Sequence, residues 1–372
     1  MKVLFIARAS LYRNRGGDTI QLHKTADYLS RLGVTVDIRL ADETIDYSPY
    51  DLLHFFNLTR PADILRHYKA ASRPFVVSPL FVDYSESDRR TRRGLSKWLL
   101  RLFSADRIEY VKVIARRLRN GEKIASPDYW WYGQGGSVRR VVRDAAMLLP
   151  NSASEYRRLR QRYDVDCPYR VIPNGIDPAL FPVEEAKGSS REKDLVLCAA
   201  RIEGIKNQLN LIRAVNGSPF RLILIGTPAV NQRSYYEECR KAAGPAVIFA
   251  DAVPQEELAA YYRRAQVHAL PSWFETTGLS SLEAAAMGCN IVITDKGDTR
   301  EYFGDQAFYC DPASPASILE ALTKAAGAGP AETLRTKIVL QYTWQQAAKE
   351  TLAAYKLVLG EVNPAKSTSF GG

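Results

Sequence analysis

Short apolar runs recur along this chain at the spacing of strands separated by helices, and that alternation restricts the fold more than any other feature. The first half carries apolar runs at 3–7, 34–38, 52–56, 75–78 and 146–150, with helical patterns at 17–32, 61–71 and 152–163. The second half repeats the style with runs at 195–200, 221–226, 247–250, 267–270 and 291–294, separated by helical stretches. Such runs read as strands of a parallel sheet covered by helices on both faces. A chain of 372 residues exceeds what one hydrophobic core usually serves. The pattern therefore predicts an α/β protein of two doubly wound, Rossmann-like domains, with ligands at the carboxyl ends of their strands.

The predicted boundary falls in Val171-Ile172-Pro173-Asn174-Gly175-Ile176-Asp177-Pro178, where two prolines and an Asn-Gly demand a stiff turn. The expected division is 1–172, with a basic insertion at 85–140, then 173–342, then 343–372 as a last helix and a frayed tail.

Hydrophobic content of 46% and 25% charged residues suit a globular protein, and no run approaches the roughly 18 apolar residues of a membrane span. The opening apolar run is too short for a secretory signal and reads as a first strand. Five cysteines, Cys167, Cys198, Cys239, Cys289 and Cys310, show no zinc or redox spacing, which points to idle thiols in a reducing cytoplasm.

Net charge is placed unevenly. Residues 89–123 hold twelve Lys and Arg against three Asp and Glu, so this piece carries +9 of the total +10. Leu95, Trp98, Leu99, Leu102 and Phe103 recur there at helical spacing, and Ile108, Val111, Ala115 and Leu118 repeat the pattern. Two readings stand: a helix lying on an anionic membrane, or an apolar stripe packed on the first domain with its charge solvated. No recognition motif accompanies the charge, so nucleic acid is not expected as a partner.

The richest stretch for chemistry is 271–288. Glu275 and Glu283 stand eight positions apart around Gly278, which opens a helix-forming segment between two apolar runs. A strand–loop–helix edge offers free backbone N–H groups to an anion. Carboxylates beside such a site suit a ligand that also has hydroxyls, as a sugar nucleotide does. Arg201 and Lys206, five apart directly after the 195–200 run, are placed to set two cations on one diphosphate.

These residues, with others in order, resemble the family 4 retaining glycosyltransferases of the GT-B architecture. The matching positions are Gly16-Gly17 after the first strand, Pro150-Asn151-Ser152 with Glu155, Pro173-Asn174-Gly175, Arg201 with Lys206, and Glu275 with Glu283. Gly297 with Glu301, Asp311-Pro312 and a late helix at 344–359 follow. The resemblance implies two domains facing a cleft, a nucleotide-sugar donor, and a glycan or lipid-linked acceptor such as a cell-envelope glycan. It implies that Arg201 and Lys206 neutralise the donor diphosphate and the charge that grows on it during transfer. Gly278 and Leu279 would offer N–H groups to the distal phosphate, Glu283 would hold ribose hydroxyls, and Glu275 hydroxyls of the transferred sugar. Gly16 and Gly17 would let the first-domain backbone come close to donor or acceptor. No metal and no cofactor are expected, and the implied location is cytoplasmic, with a peripheral association at the inner face of the plasma membrane.

One departure concerns a His that many relatives carry after the fourth strand; here 76–84 has none. Asp83, Asp18 or no group at all stands in its place. His54 matches a strand-end His of the family and reads as structural. Asp164-Val165-Asp166 mimics a metal-binding motif of the other large glycosyltransferase architecture but reads as a solvated loop. Gly133-Gln134-Gly135-Gly136 resembles a phosphate loop but follows no strand. The aromatic run 129–132 reads equally as a core plug or as an acceptor or membrane patch. Rival functions are a GT-B nucleotide-sugar epimerase and a non-catalytic protein bound at a membrane surface.

Overall fold

The computed structural model describes residues 1–13, 16–82, 126, 128–182 and 191–361. The basic segment 89–123 and the tail beyond Asn363, both singled out above, lie outside the described residues, as does Asp83. The described residues form two compact units. Of the described residues, one takes Met1–Phe81, 126–173 and 345–361; the other takes Val82 and Asn174–Trp344.

The first unit holds a five-stranded parallel sheet of β1 (Lys2–Ala7), β2 (Thr35–Leu40), β3 (Leu52–Phe56), β4 (Phe75–Ser78) and β5 (Met147–Leu148) in the order β2-β1-β3-β4-β5. Every residue of β3 and β4 is buried, as their mainly apolar sequences predict, His54 and Ser78 included. The second unit holds six parallel strands: β6 (Glu192–Ala199), β7 (Arg221–Ile225), β8 (Val247–Ala250), β9 (Ala265–Leu270), β10 (Asn290–Thr294) and β11 (Phe308–Cys310). Their order is β11-β10-β9-β6-β7-β8, so the winding reverses between β6 and β9. In doubly wound sheets that reversal opens the crevice in which ligands bind.

Beyond shifts of a few residues at other strand ends, three elements depart from the sequence expectation in instructive ways. Strand β6 starts at Glu192 rather than 195, because the Glu192 carboxylate accepts Arg221 Nη2 at 2.9 Å and Arg264 Nε at 2.6 Å. These ion pairs extend pairing through a charged stretch that shows no apolar pattern. Strand β11 is only three residues long and gives too short a window for any period. The third is a helix at Asp128–Asp144, whose Gly133 at φ 61° kinks the first turn away from the rest. That turn buries Tyr129, whose hydroxyl donates to Gln134 Oε1 at 2.8 Å, and leaves Trp131 89% exposed. The glycine-rich run is thus a kink at Gly133 inside a helix, not a phosphate loop.

The helix Trp344–Val358 continues from the second unit into the first, where Tyr355 is fully buried. Its hydroxyl lies 2.7 Å from His54 Nδ1, while His54 Nε2 lies 2.9 Å from Ser78 Oγ. His54 therefore sits mid-strand in β3, not at a strand end, stacked on Phe56 at 4.2 Å. Burial pushes its pKa down to about 3, so it is a neutral core group with both nitrogens engaged. Glu155 is equally internal: its carboxylate accepts the N–H groups of Asn151 and Phe81, each at 2.6 Å. Its own N–H donates to the capping hydroxyl of Ser152 at 3.0 Å. Asp18, one candidate for the missing His, forms a two-pronged pair with Arg8 at 2.7 and 3.2 Å. Asp164 caps its helix in the left-handed region at φ 49°, and Asp166 accepts from Tyr156 at 2.9 Å.

Candidate functional site

The loops leaving β6 and β9 flank the point where the second sheet reverses, and most of the candidate residues stand on them. After β6 the chain has little freedom. A Cβ on Gly226 would lie 2.0 Å from the Ala200 carbonyl oxygen, so only glycine lets β7's end approach there. A short 3₁₀ turn, Gly204–Lys206, then presents Lys206. Asn207 follows at φ 58°, a left-handed angle that Asn tolerates better than most residues. Its side-chain amide donates to the carbonyls of Pro271 at 3.0 Å and Pro312 at 2.7 Å. One buried Asn thus ties together the loops that follow β6, β9 and β11.

The loop after β9 is held as firmly. Trp273 N donates to Ile205 O at 2.8 Å. Glu275 N donates to Lys296 O at 3.1 Å, and Asp298 N donates to Glu275 O at 2.9 Å. Between those two bonds lies Gly297 at φ 102°, where a Cβ would meet Glu275 O at 2.0 Å. The Glu275 backbone is therefore clamped, and its carboxylate is aimed. Lys206 Nζ donates to Oε2 at 2.7 Å, and Ser272 Oγ donates to the same oxygen at 2.9 Å. Oε1 receives no hydrogen bond from any of the described residues. The Glu275 side chain is 9% exposed and that of Lys206 21%, so the pair is shielded but reachable.

Gly278, at φ 71°, turns the chain into the helix Leu279–Ala286. A Cβ there would crowd Ile293 Cδ1 at 3.2 Å on top of its backbone strain. The N–H groups of Gly278 and Leu279 have no partner among the described residues, as expected at a helix start. Just before them, Thr277 Oγ1 accepts Asn174 Nδ2 at 3.1 Å and donates to Tyr302 Oη at 3.2 Å. Asn174 N also donates to Tyr302 Oη at 3.2 Å. The Asn of Pro173-Asn174-Gly175 therefore anchors the loop that leads to the helix. Glycine at 175 has its own reason: a Cβ would fall 2.4 Å from the Thr343 backbone.

Glu283 lies in the second turn of this helix and is buried. Its Oε1 accepts Gln255 Nε2 at 2.7 Å, and its Oε2 accepts Tyr262 Oη at 3.2 Å. Burial, helped by the charge of Glu283, holds the Tyr262 phenol well above its usual range, so it remains a donor.

Of the candidate residues, Lys206 and Glu275 touch, and Gly278, Leu279 and Glu283 continue from Glu275 along one loop and helix. Arg201 stands differently: it is 44% exposed and donates to Glu203 at 2.8 Å. Gly16 and Gly17 belong to the first unit, where Gly16 caps the helix Gly17–Arg31 in an extended conformation that other residues also adopt. Sequence reasoning missed Ser272, Asn207, Thr277, Tyr302, Gln255 and Tyr262. Only Ser272, three positions before Glu275, had a local signal. The others meet their partners across long sequence separations.

Comparison with known proteins agrees with this geometry. Residues 183–332 match the family described as glycosyl transferases group 1. The D-inositol 3-phosphate glycosyltransferase of Acidothermus cellulolyticus is 28% identical over 247 residues, 59% of this chain and 55% of that protein. The MMP alpha-(1->4)-mannosyltransferase of Mycolicibacterium hassiacum is 24% identical over 64% of this chain and 62% of its own length. The chain thus spans little more than half the length of these curated relatives. Among solved structures, sucrose-phosphate synthase from Thermosynechococcus elongatus superimposes with a TM-score of 0.74 at 15% identity, covering 97% of this chain and all of that one. Anabaena HepE in complex with UDP-glucose gives 0.68 at 16% identity, covering 95% of this chain and 100% of its own. Residues 183–332 therefore match the glycosyl transferases group 1 family, and the chain has the fold of two Rossmann-like domains that its solved neighbours share.

Proposed function

We propose that the protein transfers a sugar from a nucleoside-diphosphate sugar to a hydroxyl acceptor with retention of configuration. The observation that carries this reading is the cluster at the β6/β9 reversal: a shielded Lys206 on Glu275, beside a helix start whose first N–H groups have no partner among the described residues. A diphosphate needs cations and N–H donors, and Lys206, Arg201, Gly278 and Leu279 supply them. Glu283 is the acceptor for ribose hydroxyls. Glu275 receives hydroxyls of the transferred sugar on Oε1, since Oε2 is occupied. Gly16 and Gly17 are the first unit's contribution to donor or acceptor contact.

In the reaction, the bond between the anomeric carbon and the phosphate oxygen breaks, and its electron pair stays on the diphosphate. The acceptor oxygen bonds to the same face of that carbon, and its proton moves to the departing phosphate oxygen. Lys206 and Arg201 stabilise the negative charge that grows there, the place where fixed charges lower a barrier most. With Oε2 of Glu275 engaged twice, a hydroxyl-holding role suits this carboxylate better than a covalent one. In this reading the fixed cations and the helix start take the part that a metal plays in other transferases.

The test is a thermal-shift screen of UDP, GDP and ADP and of their sugars. One carrier is expected to raise the melting temperature by several degrees, since a ligand at a hundredfold excess over its Kd stabilises by about 2.7 kcal/mol. No shift with any of them would overturn the reading. The acceptor side of the proposal is a lipid-linked or cell-envelope glycan, reached at an anionic membrane surface through residues 89–123. Co-sedimentation with phosphatidylglycerol vesicles should then weaken when Arg89, Arg90, Arg92 and Arg93 become Ser; unchanged binding would remove the membrane from the proposal.

A further inference from the structure

Two donors share one oxygen of Glu275, and they differ in what a diphosphate would do to them. Lys206 carries a full charge on a flexible stem and is 21% exposed. A diphosphate in the crevice competes with Glu275 for that charge, and an ammonium can swing to a new partner. Ser272 is different in each respect. It is fully buried, its N–H donates to Leu270 O at 2.9 Å, and the neighbouring Pro271 carbonyl is held by Asn207 at 3.0 Å. Its hydroxyl is neutral, so a phosphate draws on it far less than on Lys206.

We infer that Ser272 is a positioning residue of the sugar site: it holds Glu275 Oε2 in place after Lys206 has turned toward the diphosphate, so that Oε1 still faces the sugar. This rests on the sugar-nucleotide reading proposed for the same site. Without Ser272, no described residue but the migrating Lys206 fixes the Glu275 carboxylate torsion, and the carboxylate follows the cation instead of waiting for hydroxyls. The loss therefore appears in binding of the sugar and not in binding of the nucleotide.

The experiment measures dissociation constants by calorimetry for UDP against UDP-glucose, GDP against GDP-mannose and ADP against ADP-glucose. If the wild-type protein binds none of the six, the sugar-nucleotide reading falls and the inference with it. If it binds one pair, Ser272→Ala is expected to weaken the sugar nucleotide about tenfold, the scale of one hydrogen bond to a charged group. The bare nucleotide should change by less than about twofold, which also shows that the variant folds. In a Glu275→Ala background the same change should have no further effect, because Ser272 acts through Glu275. Equal losses for nucleotide and sugar nucleotide, or an undiminished loss in the Glu275→Ala background, would sink the assignment. Should the Ala variant not fold, Ser272→Cys keeps the size with a weak donor and is read against the same criteria.

Discussion

Lys206→Ala is expected to slow sugar transfer by roughly 10²- to 10³-fold, the usual cost of removing one fixed donor aimed at a developing oxyanion. The effect should be large because Lys206 is partly shielded on its 3₁₀ turn, so its charge acts at reduced dielectric. Stability should fall too, since Glu275 keeps only Ser272 on an oxygen that now has two donors. A hydrogen bond to a charged group contributes about 1.5–3 kcal/mol, which a two-domain protein of this size should survive. Lys206→Arg should rescue little, because a longer, planar guanidinium places its donors at a different reach and angle from the compact ammonium that Lys206 holds 2.7 Å from Glu275 Oε2. The measurement is nucleoside diphosphate released from the donor that the thermal screen identifies, with circular dichroism confirming the fold. A rate within about threefold of wild type would end the assignment of Lys206.

Glu275→Ala should lower transfer by a comparable factor, with an opposite signature in binding. Removing the carboxylate takes away the hydroxyl acceptor, so the sugar no longer adds to affinity. It also frees Lys206 from its ion-pair partner among the described residues, leaving the full ammonium charge for the diphosphate. Bare nucleotide should therefore bind as well as before, or tighter, while the sugar nucleotide loses its advantage over it. Calorimetric titration of both ligands separates this from general damage, which would weaken both. If Glu275→Ala lowered nucleotide and sugar-nucleotide affinity together, the carboxylate would be holding the loop and not the sugar.

Much of the fold was legible in the chain itself. Strands 52–56, 75–78 and 247–250 and the helix 61–71 have the bounds their apolar pattern predicts. Strands 52–56 and 75–78 are buried throughout and the helix 61–71 shows a buried stripe, so local pattern and tertiary role coincide there, while 247–250 is an edge strand with Ile248 exposed. The elements that escaped are those where the two diverge. Glu192 enters β6 only because Arg221 and Arg264 stand on neighbouring elements. The helix at 128–144 reads as glycine-rich loop and aromatic cluster until its kink at Gly133 is seen.

The site divides in the same way. By itself the sequence determined which groups are present and where they stand along the chain: two cations at a strand's end, two carboxylates around a helix start, and glycines at the turns. Backbone direction and residue type suffice for that. What only the tertiary structure decided is how those groups are loaded. Lys206 meets Glu275 across 69 positions, Gln255 and Tyr262 reach Glu283 across 28 and 21, and Asn174 reaches Thr277 across 103. Nothing local specifies such pairs, because a hydrogen bond of about 3 Å depends on the summed geometry of every element between its partners. For the same reason the role inferred for Ser272, a common residue in an ordinary loop, rests on tertiary geometry: among the described residues one oxygen of Glu275 carries two donors and the other none.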